Sequence, residues 1–204
     1  MEKRNWKRSV TLKQRMVLCL AAFFAAFALQ LALNGYQARA VQQVQDDQMG
    51  NFNAISRFQG GVESSISILE AYRWENGETE EMLEKLQAAC STSNAWLWRI
   101  RSNMDGLQNV SDEQWVLYGA VETTYGSYNT LLEELESYLS SGQEAKASQL
   151  YYNKVSVCGG YLSQYTMQLL KASILDAQTT YTEISELGER IALMQIVVVA
   201  LCVA

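Results

Sequence analysis

The feature that most constrains this chain is the complete absence of proline from its 204 residues. Proline removes a backbone donor and clashes with the preceding turn, so a chain without it is free to form very long, uninterrupted helices. The chain also contains no histidine. A histidine-based triad, a histidine-ligated metal and a phospho-accepting histidine are therefore excluded within these residues.

Two apolar runs lie near the ends of the sequence. The first covers residues 16–33, with Gln30 as its only polar side chain, and the second covers residues 191–204. Because a helix needs about 20 apolar residues to cross a bilayer, we expect a transmembrane helix at 16–34 and the truncated start of a second one at 191–204. A cleaved signal peptide is the alternative for the first run. A short tail anchor or a core helix is the alternative for the second.

Basic residues are concentrated at the start of the chain. Residues 1–15 contain six lysines and arginines and one glutamate, whereas the whole chain has a net charge of -6. Because lysine and arginine favour the cytoplasmic side of a first span, we expect a cytoplasmic tip at 1–15, an extracytoplasmic domain at 35–190 and a multi-pass location in the cell membrane. The acidic body argues against nucleic acid as a partner.

Apolar residues between the two runs recur at helical spacing. Steps of three and four connect them in three segments, and no segment shows the sustained alternation of a β-strand. One stripe on each helix is the pattern of an antiparallel bundle. The stripes are Met82, Leu86, Ala89, Ser93, Trp96, Ile100 and Met104; Trp115, Tyr118, Val121, Tyr125, Tyr128, Leu132, Leu135 and Leu139; and Leu150, Lys154, Val157, Tyr161, Tyr165, Leu169 and Ala172.

Three breaks in this periodicity separate four helices. Asn76-Gly77 supplies a left-handed residue after the first helix, and Ser111-x-x-Gln114 and Ser141-x-x-Glu144 have the spacing of capping boxes. The sequence therefore predicts an all-α fold, a membrane-anchored up-down-up-down four-helix bundle whose first and last helices are continuous with two transmembrane helices. The predicted helices are 12–75, 79–104, 112–140 and 143–204.

The first and last predicted helices are longer than the inner pair. Such a two-helix extension exposes apolar surface unless it pairs with another chain. We therefore expect a homodimer. Cys90 and Cys158 are either a disulfide or two small buried thiols, and the sequence leaves both alternatives open.

Arginine and tryptophan occur together at two places in the region between the apolar runs. Such clusters hold carboxylates or stacked rings. The alternative places Trp96 in the core and Arg99 and Arg101 at solvated or interface positions. No catalytic residue, nucleotide loop or metal-ligand spacing is predicted. The candidate ligand-binding residues are Arg73, Trp74, Trp96, Trp98, Arg99 and Arg101.

The order of segments carries a family resemblance. A basic tip, an anchor, a helical bundle and a second apolar run, entered through the segment 177–190 (AQTTYTEISELGER), resemble the sensor region of bacterial, Firmicutes-like transmembrane sensor histidine kinases of two-component systems. In that family the second span leads into a HAMP linker, a dimerising helix pair with the phospho-accepting histidine and an ATP-binding domain. None of these parts lies in these residues, so no catalytic residue of the family is carried over.

The resemblance implies a function for the segment. It would be an extracytoplasmic sensing and transmembrane signalling module that transmits helix displacement to a cytoplasmic HAMP and kinase part. This segment would bind no cofactor, whereas the kinase part would use ATP and Mg²⁺. The partners would be a cytoplasmic response regulator and an extracellular ligand or partner protein of unknown identity. The alternatives are the sensor half of a methyl-accepting chemotaxis receptor, or a structural or interaction membrane protein with a helical ectodomain.

Overall fold

The computed structural model describes residues 12–72, 79–107 and 110–203. Helix α1 spans Leu12–Ala71, α2 spans Thr79–Gly106 and α3 spans Asp112–Ser140. The fourth stretch of helix consists of α4, Glu144–Leu150, a π-helical turn, Tyr151–Val155, and α5, Ser156–Val203. These ranges contain no β-strand. The all-α prediction is confirmed, and the helices begin and end close to the predicted residues.

The chain divides into two compact units. The first unit consists of Met1–Gln43 and Tyr181–Ala204, and the second unit is Val44–Thr180. In the first unit, many large apolar side chains are exposed, including Phe23, Phe24 and Leu193. A Cβ at Gly188 would lie 3.1 Å from the Gln37 Nε2 atom, so these two positions approach each other closely and a larger residue at 188 would displace the end of the Gln37 side chain.

The second unit contains the hydrophobic core. Helices α1 and α2 within it are antiparallel, because Gly61 lies against Ser93 and the Tyr72 hydroxyl lies 2.7 Å from that of Thr79. The predicted stripes of α2 and α3 form much of the core. Its largest fully buried side chains are Tyr128, Phe58, Ile55, Leu69, Ile100, Met104, Leu135, Leu162, Leu169, Gln114, Val62 and Val121.

The core face of the fourth helix differs from the predicted stripe. Val157 and Tyr161 were expected to be buried but are exposed, whereas Tyr151, Val155 and Leu162 are buried. The π-helical turn at Tyr151–Val155 accounts for this difference. A π-helical turn holds one more residue than an α-helical turn, so the core face directly after the turn moves by one residue, which corresponds to about 100° of rotation. Farther along the helix, Leu169 and Ala172 are buried as predicted.

The two predicted capping boxes have different outcomes. Ser111 caps α3, because its hydroxyl accepts a hydrogen bond of 3.2 Å from the Gln114 backbone N–H. The Ser111 backbone N–H donates to Asp176 Oδ2 of α5 at 2.9 Å rather than to the Gln114 side chain. The carboxylate of Asp176, from another helix, therefore completes the cap. Ser141 is not the cap of the next helix, because α4 begins at Glu144 with Gln143 before it.

Ser141 instead closes the end of α3. The Gly142 N–H donates to the Leu139 carbonyl and the Gln143 N–H donates to the Tyr138 carbonyl. This pair of bonds is a Schellman motif, which needs a left-handed residue after the helix. Gly142 supplies that residue with a φ of 71°.

The prediction of two transmembrane helices is contradicted. Within the described residues, no helix is long and apolar enough to cross a membrane. A span needs about 20 consecutive apolar residues. In the run at 191–204, the side chains of Gln195 and of residues 198–204 lie outside the described residues. In the run at 16–33, the side chains of Leu18, Cys19 and Ala22 lie outside the described residues, and the stretch after them contains Gln30. The membrane location and the multi-pass topology are corrected accordingly. Residues 1–11 of the predicted tip 1–15 lie outside the described residues.

Candidate functional site

The six sequence-predicted ligand residues are not brought together among the described residues. Arg73 and Trp74 lie outside these residues. Trp98 is 68% exposed, and Arg99 is also exposed. Arg101 approaches Glu122 of α3 at 3.7 Å in an exposed ion pair. Trp96 alone lines a recess in the surface, and the residues around it were not predicted.

That recess is a groove between α1 and α2 with a volume of about 660 Å³. Its volume lies within the range of about 300–1,000 Å³ that small-molecule sites have. Most of its residues are small, and its charged side chains are two cations, with no acidic side chain in the lining. We call this recess the α1–α2 groove, and it is lined by Ser56, Arg57, Gly60, Gly61, Ser64, Ile68, Lys85, Ala88, Ala89, Thr92 and Trp96.

The floor of the α1–α2 groove depends on Gly61. A Cβ on Gly61 would lie 2.3 Å from Ser93 Oγ and 3.6 Å from the Ala89 carbonyl oxygen. The Ser93 hydroxyl is already satisfied, because it donates to the Ala89 carbonyl at 2.9 Å. The neighbouring Gly60 meets no atom within 4 Å of a Cβ position. Gly61 therefore allows the helices to touch, and Gly60 leaves the groove open above them.

The antiparallel direction of the helices separates the two cations of the groove. Gly50 approaches Asn103 and Gly61 approaches Ser93, so Arg57 lies at the level of Trp96, and Lys85 lies at the other end. Lys85 and Trp96 are separated by eleven positions of α2, which is about 16 Å at 1.5 Å per residue. The groove is therefore elongated, with one cation at each end.

The two cations differ in their surroundings. Lys85 pairs with Glu81 one turn earlier on α2, and both side chains are largely exposed. An exposed pair at this spacing contributes only about 0–1 kcal/mol. Arg57 is exposed and has no acidic partner within 4 Å among the described residues. Arg57, beside the half-buried indole of Trp96, is therefore the stronger anion-binding end of the groove.

Behind the groove, the core contains a hydrogen-bonded tyrosine. The Tyr128 hydroxyl of α3 lies 3.0 Å from the Ser65 hydroxyl of α1, and Ser65 also donates to the Val62 carbonyl at 2.7 Å. Burial raises the pKa of Tyr128 well above its ordinary value. A Cβ on Gly159 of α5 would lie 3.3 Å from the Tyr128 ring. Tyr128 therefore contacts both α1 and α5 directly.

Two buried amide side chains have unpartnered oxygen atoms. Asn51 of α1 donates to Ser173 Oγ of α5 at 3.2 Å, while its Oδ1 atom accepts no hydrogen bond. Gln114 of α3 is 1% exposed, and its Oε1 atom also has no partner. A buried polar group left unsatisfied costs about 1–3 kcal/mol, so both residues weaken the core of the second unit.

Cys90 and Cys158 are free thiols rather than a disulfide. Burial raises the pKa of the Cys90 thiol to about 11, and burial also raises the pKa of Cys158. A thiol is nucleophilic only as the thiolate, so burial lowers the reactivity of both cysteines. Across the described ranges, no group of three metal-ligating side chains comes together.

Comparison of the chain with protein-family models, with curated proteins and with solved structures gives no match. The α1–α2 groove was missed by sequence reasoning, although a signal existed. Small residues recur on α1 at 56, 60, 61 and 64 and on α2 at 88, 89 and 92. Facing small-residue stripes indicate a close helix contact, and the cations beside them indicate its solvent-facing edge.

Proposed function

We propose that this chain is the sensing and signal-transmitting helical module of a sensor histidine kinase. A stimulus changes the packing of the second unit, and the fourth stretch of helix carries that change along the chain to the kinase part. The long helices suit this role, because α1 has 60 residues and α5 has 48 residues.

The observation that carries the proposal is the π-helical turn Tyr151–Val155. Such turns are frequent at functional sites. Returning this turn to α-helix would change the helix register by one residue, which is about 100° of rotation and 1.5 Å of rise. Helix displacements of about 1–2 Å are used in known switching proteins. Because α5 follows the turn directly, its rotation is the signal that we propose.

The core supports a switch of this kind because its packing is imperfect. Asn51 and Gln114 each carry an unpartnered, buried oxygen. An arrangement that satisfies them would recover part of the cost of about 1–3 kcal/mol per group. The two packings are then close in energy, and a stimulus selects between them through its different affinity for each.

The test uses the full-length protein that contains this chain. Incubation with labelled ATP should give autophosphorylation on a histidine outside these residues, since the chain itself contains none. Deletion of the exposed Asn153 removes the extra residue of the turn and should fix the autophosphorylation rate at one level. Substitution of Asn153 by alanine is the matched control, because it changes the same exposed side chain without removing the extra residue, and it should leave the response to stimulus intact.

Three results would overturn the proposal. Full-length protein that takes no phosphate from ATP is not a kinase, and stimulus-dependent methylation instead would identify a chemotaxis receptor. An Asn153 deletion that leaves the response to stimulus intact would remove the π-helical turn from the mechanism.

A further inference from the structure

We propose that the Arg57–Trp96 end of the α1–α2 groove binds a planar aromatic monocarboxylate, with the carboxylate on the Arg57 guanidinium group and the ring against the Trp96 indole. This ligand would be the stimulus of the sensing function above, so its role in signalling rests on the proposed function, whereas its binding does not.

The sequence around this end of the groove is positive, although the chain as a whole carries a net charge of -6. Residues 48–62 of α1 and 91–104 of α2 contain three arginines and neither aspartate nor glutamate. The two stretches face each other across the helix contact at which Gly61 approaches Ser93. A local excess of positive charge raises the concentration of anions beside it, so this part of an acidic chain attracts a carboxylate.

Arg57 is the arginine of this region that lines the groove. Arg101 is held by Glu122 of α3, whereas no carboxylate of the described residues lies within 4 Å of Arg57. Its own helix offers none, because an ion pair would need an acidic residue three or four positions away. The residues at those positions on α1 are Asn53, Ala54, Gly60 and Gly61. The Arg57 guanidinium is therefore open to a ligand, and its planar pair of donors matches a carboxylate.

Lys85, the other cation of the lining, takes no part in this site. It is paired with Glu81, which lies one turn farther from Trp96 on α2, so its side chain is directed away from Arg57. Eleven positions separate Lys85 from Trp96, or about 16 Å along the helix. This distance exceeds the screening length of about 8 Å at physiological ionic strength. The site therefore has one cation, and its ligand needs only one negative charge.

The shape of the groove favours a flat ring as the body of the ligand. A groove of about 660 Å³ has room for much more than a carboxylate. Its surface between the helices is formed by Gly60 and Gly61 of α1 and by Ala88 and Ala89 of α2. A planar ring lying on this surface reaches the half-buried Trp96 indole, and contacts between aromatic rings are favourable beyond the area that they bury.

The test is isothermal titration calorimetry of the 204-residue chain with 2-naphthoate, with neutral 2-naphthamide and with acetate. Naphthoate should bind, the amide should bind at least about tenfold more weakly because it lacks the charge, and acetate should not bind at the same concentration because it lacks the ring. Arg57→Gln should weaken naphthoate binding at least about tenfold for the same reason as the amide. Trp96→Leu should weaken it about two- to tenfold through the loss of the ring contact.

Two further charge variants locate the carboxylate. Lys85→Gln removes the same charge as Arg57→Gln from the other end of the groove and should change the affinity for naphthoate by less than about twofold, because that end is screened. Lys171→Gln on α5 is the control outside the groove, since Lys171 is exposed, and it should also bind naphthoate normally.

One variant tests the position of the ring without removing a charge. A Cβ on Gly60 meets no atom within 4 Å, so Gly60→Leu should fill the groove, raise the melting temperature through its higher helix propensity and abolish naphthoate binding. Gly126→Leu on α3 is its matched control, because Gly126 also has open space around it, and this variant should keep the wild-type affinity.

Each alternative result overturns the inference. It fails if naphthoate does not bind at millimolar concentration, or if the amide or acetate binds equally well. It also fails if Lys85→Gln weakens binding as much as Arg57→Gln, or if Arg57→Gln or the folded Gly60→Leu variant keeps the wild-type affinity. Naphthoate that binds to full-length protein without changing autophosphorylation would leave the site in place and overturn only its role as the stimulus.

Discussion

Deletion of Asn153 should leave the fold intact, although a single-residue deletion inside a helix normally disrupts its packing. Asn153 is exposed and lies within the π-helical turn, between the buried residues Tyr151 and Val155. Removing one residue there places the core positions before and after the turn on one continuous α-helical stripe. No buried side chain leaves the core, so we expect the free energy of unfolding to change by less than about 1 kcal/mol.

The matched control is deletion of Glu133, which is exposed and lies in regular α-helix. This deletion rotates the last two turns of α3 by about 100° relative to the rest. Leu135 and Leu139, which are 0% and 6% exposed, then leave the core. Burying one leucine side chain contributes roughly 1.5–3 kcal/mol. With two leucines removed from the core, the free energy of unfolding of the Glu133 deletion should fall by roughly 3–6 kcal/mol by the same rule.

Urea unfolding followed by circular dichroism measures both free energies, and an unchanged dependence on urea shows that the same surface is exposed. If deleting Asn153 costs as much as deleting Glu133, the extra residue is required by the native packing. The π-helical turn would then be a fixed part of the fold, and the register change proposed for signalling would be refuted.

Three further predictions concern single positions. Gly60→Ala should raise the free energy of unfolding by up to about 1 kcal/mol. Gly61→Ala should give no such gain, because its Cβ would lie 2.3 Å from Ser93 Oγ, and adding Ser93→Ala to Gly61→Ala should restore the gain. Equal free energies for Gly60→Ala and Gly61→Ala in urea unfolding would contradict the close contact at Gly61. Gln114→Met should stabilise the chain by about 1 kcal/mol because it removes a buried oxygen without a partner, and a loss of stability in the same assay would mean that this oxygen is satisfied in solution. Burial raises the pKa of the Cys90 thiol from 9.0 to about 11, so at pH 8 its alkylation by iodoacetamide should be about 100-fold slower than in the urea-unfolded chain. Mass spectrometry of the peptide that contains Cys90 measures both rates, and equal rates would refute the burial of this thiol.

The sequence was sufficient for the helices and for most of two core stripes. The exception in α3 is Trp115, which was placed on the core face but is 36% exposed, whereas Gln114 beside it is buried. Steps of three and four identify the buried face wherever a helix is regular, as from Met82 to Met104 in α2. The same steps failed in the fourth helix, where Lys154 was placed on the core face but is exposed. Steps of three and four assume a regular α-helix, so they give the wrong face wherever a π-helical turn adds one residue.

The candidate site was less predictable than the fold. Arginine and tryptophan were used as the signal, and of those residues only Trp96 lines the groove. The groove exists because Gly61 lets two helices touch, so it depends on the level at which α1 and α2 meet. That level is set by packing over the whole length of both helices and is not encoded at any one position.

Tyr128 explains how the groove and the π-helical turn could belong to one mechanism. Its hydroxyl is bonded to Ser65, which follows the groove residue Ser64 on α1, and its ring lies against Gly159, one helical turn after Val155. A ligand that separates α1 from α2 therefore displaces Ser64, and the next residue, Ser65, is the one whose hydroxyl is bonded to the Tyr128 hydroxyl. Because this tyrosine is buried and closely packed, it cannot follow α1 without changing its contact with α5. Packed side chains of this kind transmit displacement only if they have two arrangements. In the function that we propose, loss of the extra residue of the π-helical turn from the helix register would be the second one.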